Sequence, residues 1–300
     1  MEINSEVVIT PLRPAATVVL LRDAASAMEV FLLKRHGLSD VLGGAYVFAG
    51  GKVDRQDADL DMARYLDRPP AELHASLNEP ELDAVTAASL YVAALREVLE
   101  ESGVLFTQGA TQREATRAQA LLRSGCSFDG MLAQLGLRLQ TQSLAPWSRW
   151  ITPPMPSVTN KRFDTRFFVS ELPAGQIASH DNHEATDSVW LTPADALQRY
   201  LVGKIELAPP QIMSLSHLTH FGCVADVLAA ARSRPPPVIA PEPFDQHGLR
   251  VICYPGDERH TVRERALPGP TRLAYRNKRF EPLDGPDILF APRPAAAAGT

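Results

Sequence analysis

Between Ala15 and Gly51 the chain runs in short apolar bursts. "AATVVLLRD" (Ala15 to Asp23) and "MEVFLLKRHG" (Met28 to Gly37) are β-branched and apolar runs parted by a short polar connection, which predicts a β-hairpin. "AYVFAGG" (Ala45 to Gly51) predicts a third strand, closed by a glycine pair suited to a tight turn or a close backbone approach to a ligand. Residues 54–82 break this rhythm. They are acidic and polar, with Pro69 and Pro70 opening a short helix, and read as an insertion. From Asp83 to Ser102 the period is helical, and Gly103 stands where a left-handed cap would stop the helix. A further helical stretch covers about 111–136, and "KRFDTRFFVSEL" predicts a β region. A helix starts at Thr192 and Pro193, and "LSHLTHFGCVADVLAAARSR" reads as one last helix of a main body that ends at 233. The proline-rich 234–245 predicts a linker. An extension over 246–300 then carries two strands, "LRVICYP" and "TRLAYRNKRF", and an alanine-rich tail expected to be disordered.

One part of this pattern resists a purely structural reading. Within "ALREVLEESGVLF" (Ala94 to Phe106), Glu100 and Glu101 lie three and four positions after Glu97, so a helix projects all three carboxylates from one side. Like charges gathered this way repel, and Arg96 can neutralise only part of them. A hard divalent cation, Mg²⁺ or Mn²⁺, is the candidate for the rest, since such ions prefer oxygen ligands. The plainer alternative is a solvated helix face carrying i,i+4 ion pairs.

Composition changes the picture little. Three hundred residues suit one large domain or one domain with additions. A formal net charge of −5 argues against broad electrostatic binding to nucleic acid, so an anionic substrate would need a metal or clustered Lys and Arg. Cys126, Cys223 and Cys253 are odd in number and follow no paired-cysteine metal pattern, which favours a reduced interior. Neither an export signal nor a membrane-length apolar run is apparent, leaving the cytoplasm as the expected location.

"REVLEESGV" fits the core of the Nudix box, an arginine and glutamate followed by an apolar residue, a glutamate pair, a glycine and another apolar residue: Arg96, Glu97, Val98, Glu100, Glu101, Gly103 and Val104 match. Five fixed letters recur by chance at roughly one in a million per start position. With "YVFAGGKVD" upstream supplying Gly50 and Gly51 as the opening glycines, the chain resembles the Nudix hydrolases. The resemblance implies an α/β/α sandwich around a mixed sheet. There are departures. Arg96 lies forty-five positions after Gly51 where the box has fourteen, so the insertion falls inside the box, and the glutamate expected eight positions before the arginine is Ala88. A long insertion of this kind, with "WSRWITPPMPSVTNKRFDTRFFV", "HDNHEATDSVWLTPADAL" and "YPGD" downstream, resembles the peroxisomal coenzyme A diphosphatase branch.

The resemblance implies that Glu97, Glu100 and Glu101 hold the metal, with a backbone carbonyl of Gly50 or Gly51 as a further ligand, and that Arg96 holds the carboxylates in place. For the general base it implies Glu184, in a polar loop with Asp181, His183 and Asp187 as competitors; Glu101 is the other candidate. Lys52, Lys161, Arg162 and Arg166 are candidate contacts to substrate phosphates, although alternating strand positions can equally form an exposed face. The expected substrate is a small nucleoside diphosphate derivative, coenzyme A or acyl-coenzyme A first and ADP-ribose or a dinucleotide second. A non-catalytic nucleotide sensor is the third reading, permitted by Ala88. The insertion and the 111–136 helices are expected to wall the pocket, and the segment from Gln246 to serve as a lid, a homodimer contact or an extra hairpin over a sheet edge.

Overall fold

The computed structural model describes residues 7–39, 42–155 and 161–290; the alanine-rich tail lies outside them. The chain order begins β1 (Arg13–Asp23), β2 (Met28–Arg35), β3 (Tyr46–Val47) and β4 (Ala49–Lys52). Three short helices follow, α1 (Arg55–Asp59), α2 (Met62–Tyr65) and α3 (Pro70–Leu77), then α4 (Ala84–Ser102), α5 (Gln112–Arg123) and α6 (Phe128–Leu135). Next come β5 (Ala145–Ile151), β6 (Phe163–Glu171), β7 (Ala185–Leu191), α7 (Pro193–Leu201), α8 (Pro209–Leu218) and α9 (Val224–Arg232). The chain closes with β8 (Val238–Ile239), β9 (Glu242–Gln246), β10 (Leu249–Cys253), β11 (Arg272–Arg276) and β12 (Arg279–Pro282).

The expected hairpin forms, β1 pairing β2 antiparallel from Leu21–Val30 to Asp23–Met28. The third strand is split. β3 pairs β2, and after Phe48 the chain crosses so that β4 pairs the first half of β1, with Thr17 opposite Gly50 and Ala16 opposite Gly51. The other edge of β1 runs parallel to β6, which is antiparallel to β5, while β7 pairs β2. A mixed sheet results.

Alternation along β1 sends Ala16, Val18 and Leu20 into one core with α4 and Val19 and Leu21 into a second with α7, α8 and α9. This is an α/β/α sandwich. Helix α4 is apolar nearly all round because it lies between the sheet and the α3, α5 and α6 layer. Its ends follow the sequence signals: Asp83 accepts from Thr86 N at 2.9 Å, and Gly103 closes the helix at φ 71°, donating to Leu99 O.

One strand goes unanticipated and two expectations change. Strand β5 carries no simple alternation, because a bulge between Pro146 and Ser148 shifts its register and Arg149 is held by Asp164. The last helix of the main body is two, α8 and α9, broken by the turn through Gly222. The proline-rich stretch is no slack linker, since Val238–Ile239 lies parallel to β5 and Glu242–Gln246 opens a four-stranded antiparallel sheet, β9 to β12. That sheet docks by Ile252, Leu273 and Phe280 into the same core as α7 and α8, and the Tyr200 hydroxyl donates to Phe280 O at 2.8 Å. Among the described residues no helix is long and apolar enough to cross a membrane.

Candidate active site

Glycines bring β4 and the last turns of α4 together. A Cβ on Gly50 would lie 2.3 Å from Ala16 O, and one on Gly51 would lie 2.4 Å from Glu97 Oε1, so neither position accepts a side chain without displacement. Gly50 N donates to Glu101 Oε2 at 2.9 Å. Arg96, only 3 % exposed, donates through Nη1 to Glu97 Oε1 at 2.9 Å and Glu100 Oε2 at 3.0 Å, and through Nη2 to Lys52 O at 3.1 Å. Its remaining hydrogen bonds go to Asp57, a bidentate clasp of 2.8 and 2.9 Å.

Asp57 supplies the acid that Ala88 lacks. Counted forward, the box's first glutamate stands six positions after its second glycine, and six after Gly51 is Asp57. The insertion therefore begins after Asp57, and the acid is retained as aspartate on α1, buried at 1 % exposure. Counting only backward from Arg96 misses it.

Burial dominates the electrostatics. It pushes the Glu101 carboxyl up to about 8, with the neighbouring charge of Glu97 adding, and Glu97 up to about 7 against the opposing pull of Arg96. Glu100, more exposed, is raised for the same first reason. Burial alone would lower Arg96, but hydrogen bonds and charges from Asp57, Glu97 and Glu100 outweigh it and keep the guanidinium ionised. Among the described residues no three acidic, histidine or cysteine side chains form a ready-made metal set. The reason is visible: Arg96 draws Glu97 and Glu100 inward, and Glu101 turns to Gly50 N. The donor chemistry nonetheless fits a hard cation, with Glu97 and Glu100 sharing one arginine whose charge Asp57 already claims and Glu101 met only by the Gly50 amide.

Arg96, Glu97 and Glu100 stand at one end of a cleft of about 790 Å³, with Glu101 and Asp57 buried behind them, and its walls come from β1, β2 and its following loop, β4, β6, the loop at His183–Glu184, and α8. The insertion contributes only Asp54 and the 111–136 helices contribute nothing, so neither forms the expected wall. They instead pack behind α4. Lys52 and Lys161 line the cleft. Arg162 and Arg166 do not: Arg162 Nε donates to Thr152 O at 3.2 Å, and Arg166 is buried against Glu79 and Asp164, on the sheet face opposite Phe163 and Thr165. Strand alternation explains the loss of Arg166.

Glu184 lines the cleft from an Asx turn in which Asp181 Oδ1 accepts from His183, Glu184 and Ala185 N, and its carboxylate lies 3.9 Å from Arg35 Nη2. Asp181 is thus occupied by backbone, and Asp187 accepts from the Tyr46 hydroxyl at 2.7 Å. Among the cleft residues that sequence reasoning missed, two carry unpartnered polar atoms. Arg35, at the end of β2, has a buried Nε with no hydrogen-bond partner, and Gln211, on α8, has a buried Oε1 in the same state. Nothing in their sequence context marks either.

A family model described as the NUDT19 Nudix domain matches residues 10–218. The chain belongs to that Nudix family. It is 29 % identical over 237 residues to the acyl-coenzyme A diphosphatase NUDT19 of Xenopus laevis, covering 67 % of this chain and 62 % of that protein, and 24 % identical over 241 residues to the human protein of the same name, covering 68 % and 64 %. The chain thus spans somewhat under two thirds of these relatives. A putative nudix hydrolase 7 of Caenorhabditis elegans is 27 % identical over 268 residues, covering 87 % of this chain and 78 % of that one. Among solved structures, a NUDIX hydrolase from Alicyclobacillus acidocaldarius superimposes with a TM-score of 0.58 at 28 % identity, covering 76 % of this chain and 98 % of that one.

Proposed function

We propose that this Nudix chain is a metal-dependent hydrolase of the diphosphate bond in a nucleoside diphosphate linked to another group, with coenzyme A or acyl-coenzyme A as favoured substrate. One observation carries the reading: Glu97 and Glu100 gather around buried Arg96, and Glu101 beside them accepts from Gly50 N of β4, at the end of an open cleft. The substrate preference is supported by the names of the relatives and by the long insertion within the box.

Glu97, Glu100 and Glu101, with a carbonyl of Gly50 or Gly51, would hold Mg²⁺ or Mn²⁺, which supplies charge neutralisation and a more acidic bound water. Arg96 positions Glu97 and Glu100, its guanidinium committed to them, to Asp57 and to Lys52 O. Lys52, Lys161 and Arg35 bind phosphate oxygens. Glu184 takes the proton of the attacking water; the new bond joins water oxygen to one phosphorus, the bridging P–O bond breaks, and its electron pair leaves on the other phosphate.

An acid retained at Asp57, as aspartate, weakens the ground for a sensor. Turnover with Mg²⁺ and then Mn²⁺ tests the reading on coenzyme A, acetyl-coenzyme A, ADP-ribose, NADH and diadenosine polyphosphates, alongside a Glu100→Gln, Glu101→Gln double variant. Release of 3′,5′-ADP and a phosphopantetheine product, abolished in the variant, is expected. Cleavage of ADP-ribose or a dinucleotide alone would overturn the substrate preference, and binding without turnover would overturn the hydrolase.

A further inference from the structure

Gln211 is 6 % exposed, lines the cleft, and has its Oε1 buried without a hydrogen-bond partner. A buried acceptor left unmade destabilises the fold, and at the wall of a binding cleft a ligand group can supply the missing donor. Its place indicates which part of the ligand that is. The acidic cluster comes from α4 on one face of the sheet, whereas α8 lies on the other, packed under Val19, Leu21 and Phe167. A diphosphate at the acids directs the rest of the nucleotide across the cleft toward α8. Phe163, half-buried on β6, also lines this cleft and offers the apolar ring surface on which bases rest.

We infer that Gln211 reads the substrate's nucleobase, its Oε1 accepting from an exocyclic amine of the adenine type. A carboxamide sets an acceptor beside a donor, the complement of adenine's major-groove edge, where the N6 amine donor adjoins the N7 acceptor. Hypoxanthine presents two acceptors there, so one faces the amide oxygen whichever way the amide turns. The inference rests on the reading of the cleft as a nucleoside diphosphate site.

Calorimetric titration of ADP and IDP with Mg²⁺ present, on the full chain and on Gln211→Leu and Gln211→Met, tests it. The wild type is expected to bind ADP at least about tenfold more tightly than IDP. Either substitution should bring ADP to the IDP level, shift IDP by less than about twofold, and leave the melting temperature unchanged or raised, because an orphaned acceptor is removed. Equal affinities in the wild type, binding of neither nucleotide, a preference that survives both substitutions, or a parallel loss of both nucleotides with a lowered melting temperature would each overturn it. If nothing is turned over yet the preference is present and lost in the variants, the hydrolase reading falls and this one stands. Turnover without base preference does the reverse.

Discussion

At the scale of single residues, the site is a problem of too many carboxylates around one buried cation. Asp57→Ala leaves Arg96 the two glutamates, Lys52 O and the more distant Asp54, and should cost about 3 kcal/mol in urea unfolding. A loss below about 1 kcal/mol would show that the clasp contributes little. Ala88→Glu should not rescue it, because position 88 faces the apolar core at 0 % exposure. Glu97 and Glu101, raised to about 7 and 8 by burial, bear on pH dependence. Their folded values lie above the ordinary carboxylate range, so the fold prefers them protonated. Without a divalent cation, stability should fall as pH rises through that window. A cation replaces the protons, so its stabilising shift in melting temperature should grow from about pH 6 to pH 8. A shift that shrinks over that range would contradict the carboxylates as ligands. The glutamates and Arg96 were legible because helical spacing alone gathers them; Asp57, Arg35 and Gln211 were not, since their meaning arises only where separate elements meet.

Among elements, the meeting of β4 with α4 governs the chemistry. A Cβ at Gly51 would strike the mobile end of Glu97 rather than backbone, so Gly51→Ala should keep the fold and its melting temperature while displacing that carboxylate. Turnover should drop on the order of a hundredfold, the usual result of misplacing a reacting group by about an ångström. Near-normal activity would detach Glu97 from the site. The capped helix, the opening hairpin and the glycine-ended strand could be read from local pattern, because each signal lies within the element it defines. Strand β5 could not, for its bulge and its charged Arg149 are settled by Glu79, Glu81 and Asp164 from elsewhere in the chain.

For the whole molecule, the sheet from β9 to β12 shares a core with α7 and α8, which a reading of linker and appendage does not anticipate, since two short strands give no hint of what they rest on. Phe280→Ala, at a position with 0 % exposure beside Tyr200, should therefore destabilise the chain as one cooperative unit by about 3–5 kcal/mol. Two separate melting transitions would instead mark the sheet as independent. The insertion poses the opposite case. The turn just before it is clasped to Arg96 through Asp57, and its far end to Arg149 and Arg166 through Glu79, so both ends are moored before the intervening residues adopt any particular length. Lengthening a closed loop about fivefold costs only about 1.4 kcal/mol. Between those moorings, descent with modification is free to add or delete turns without the active-site acids registering the change.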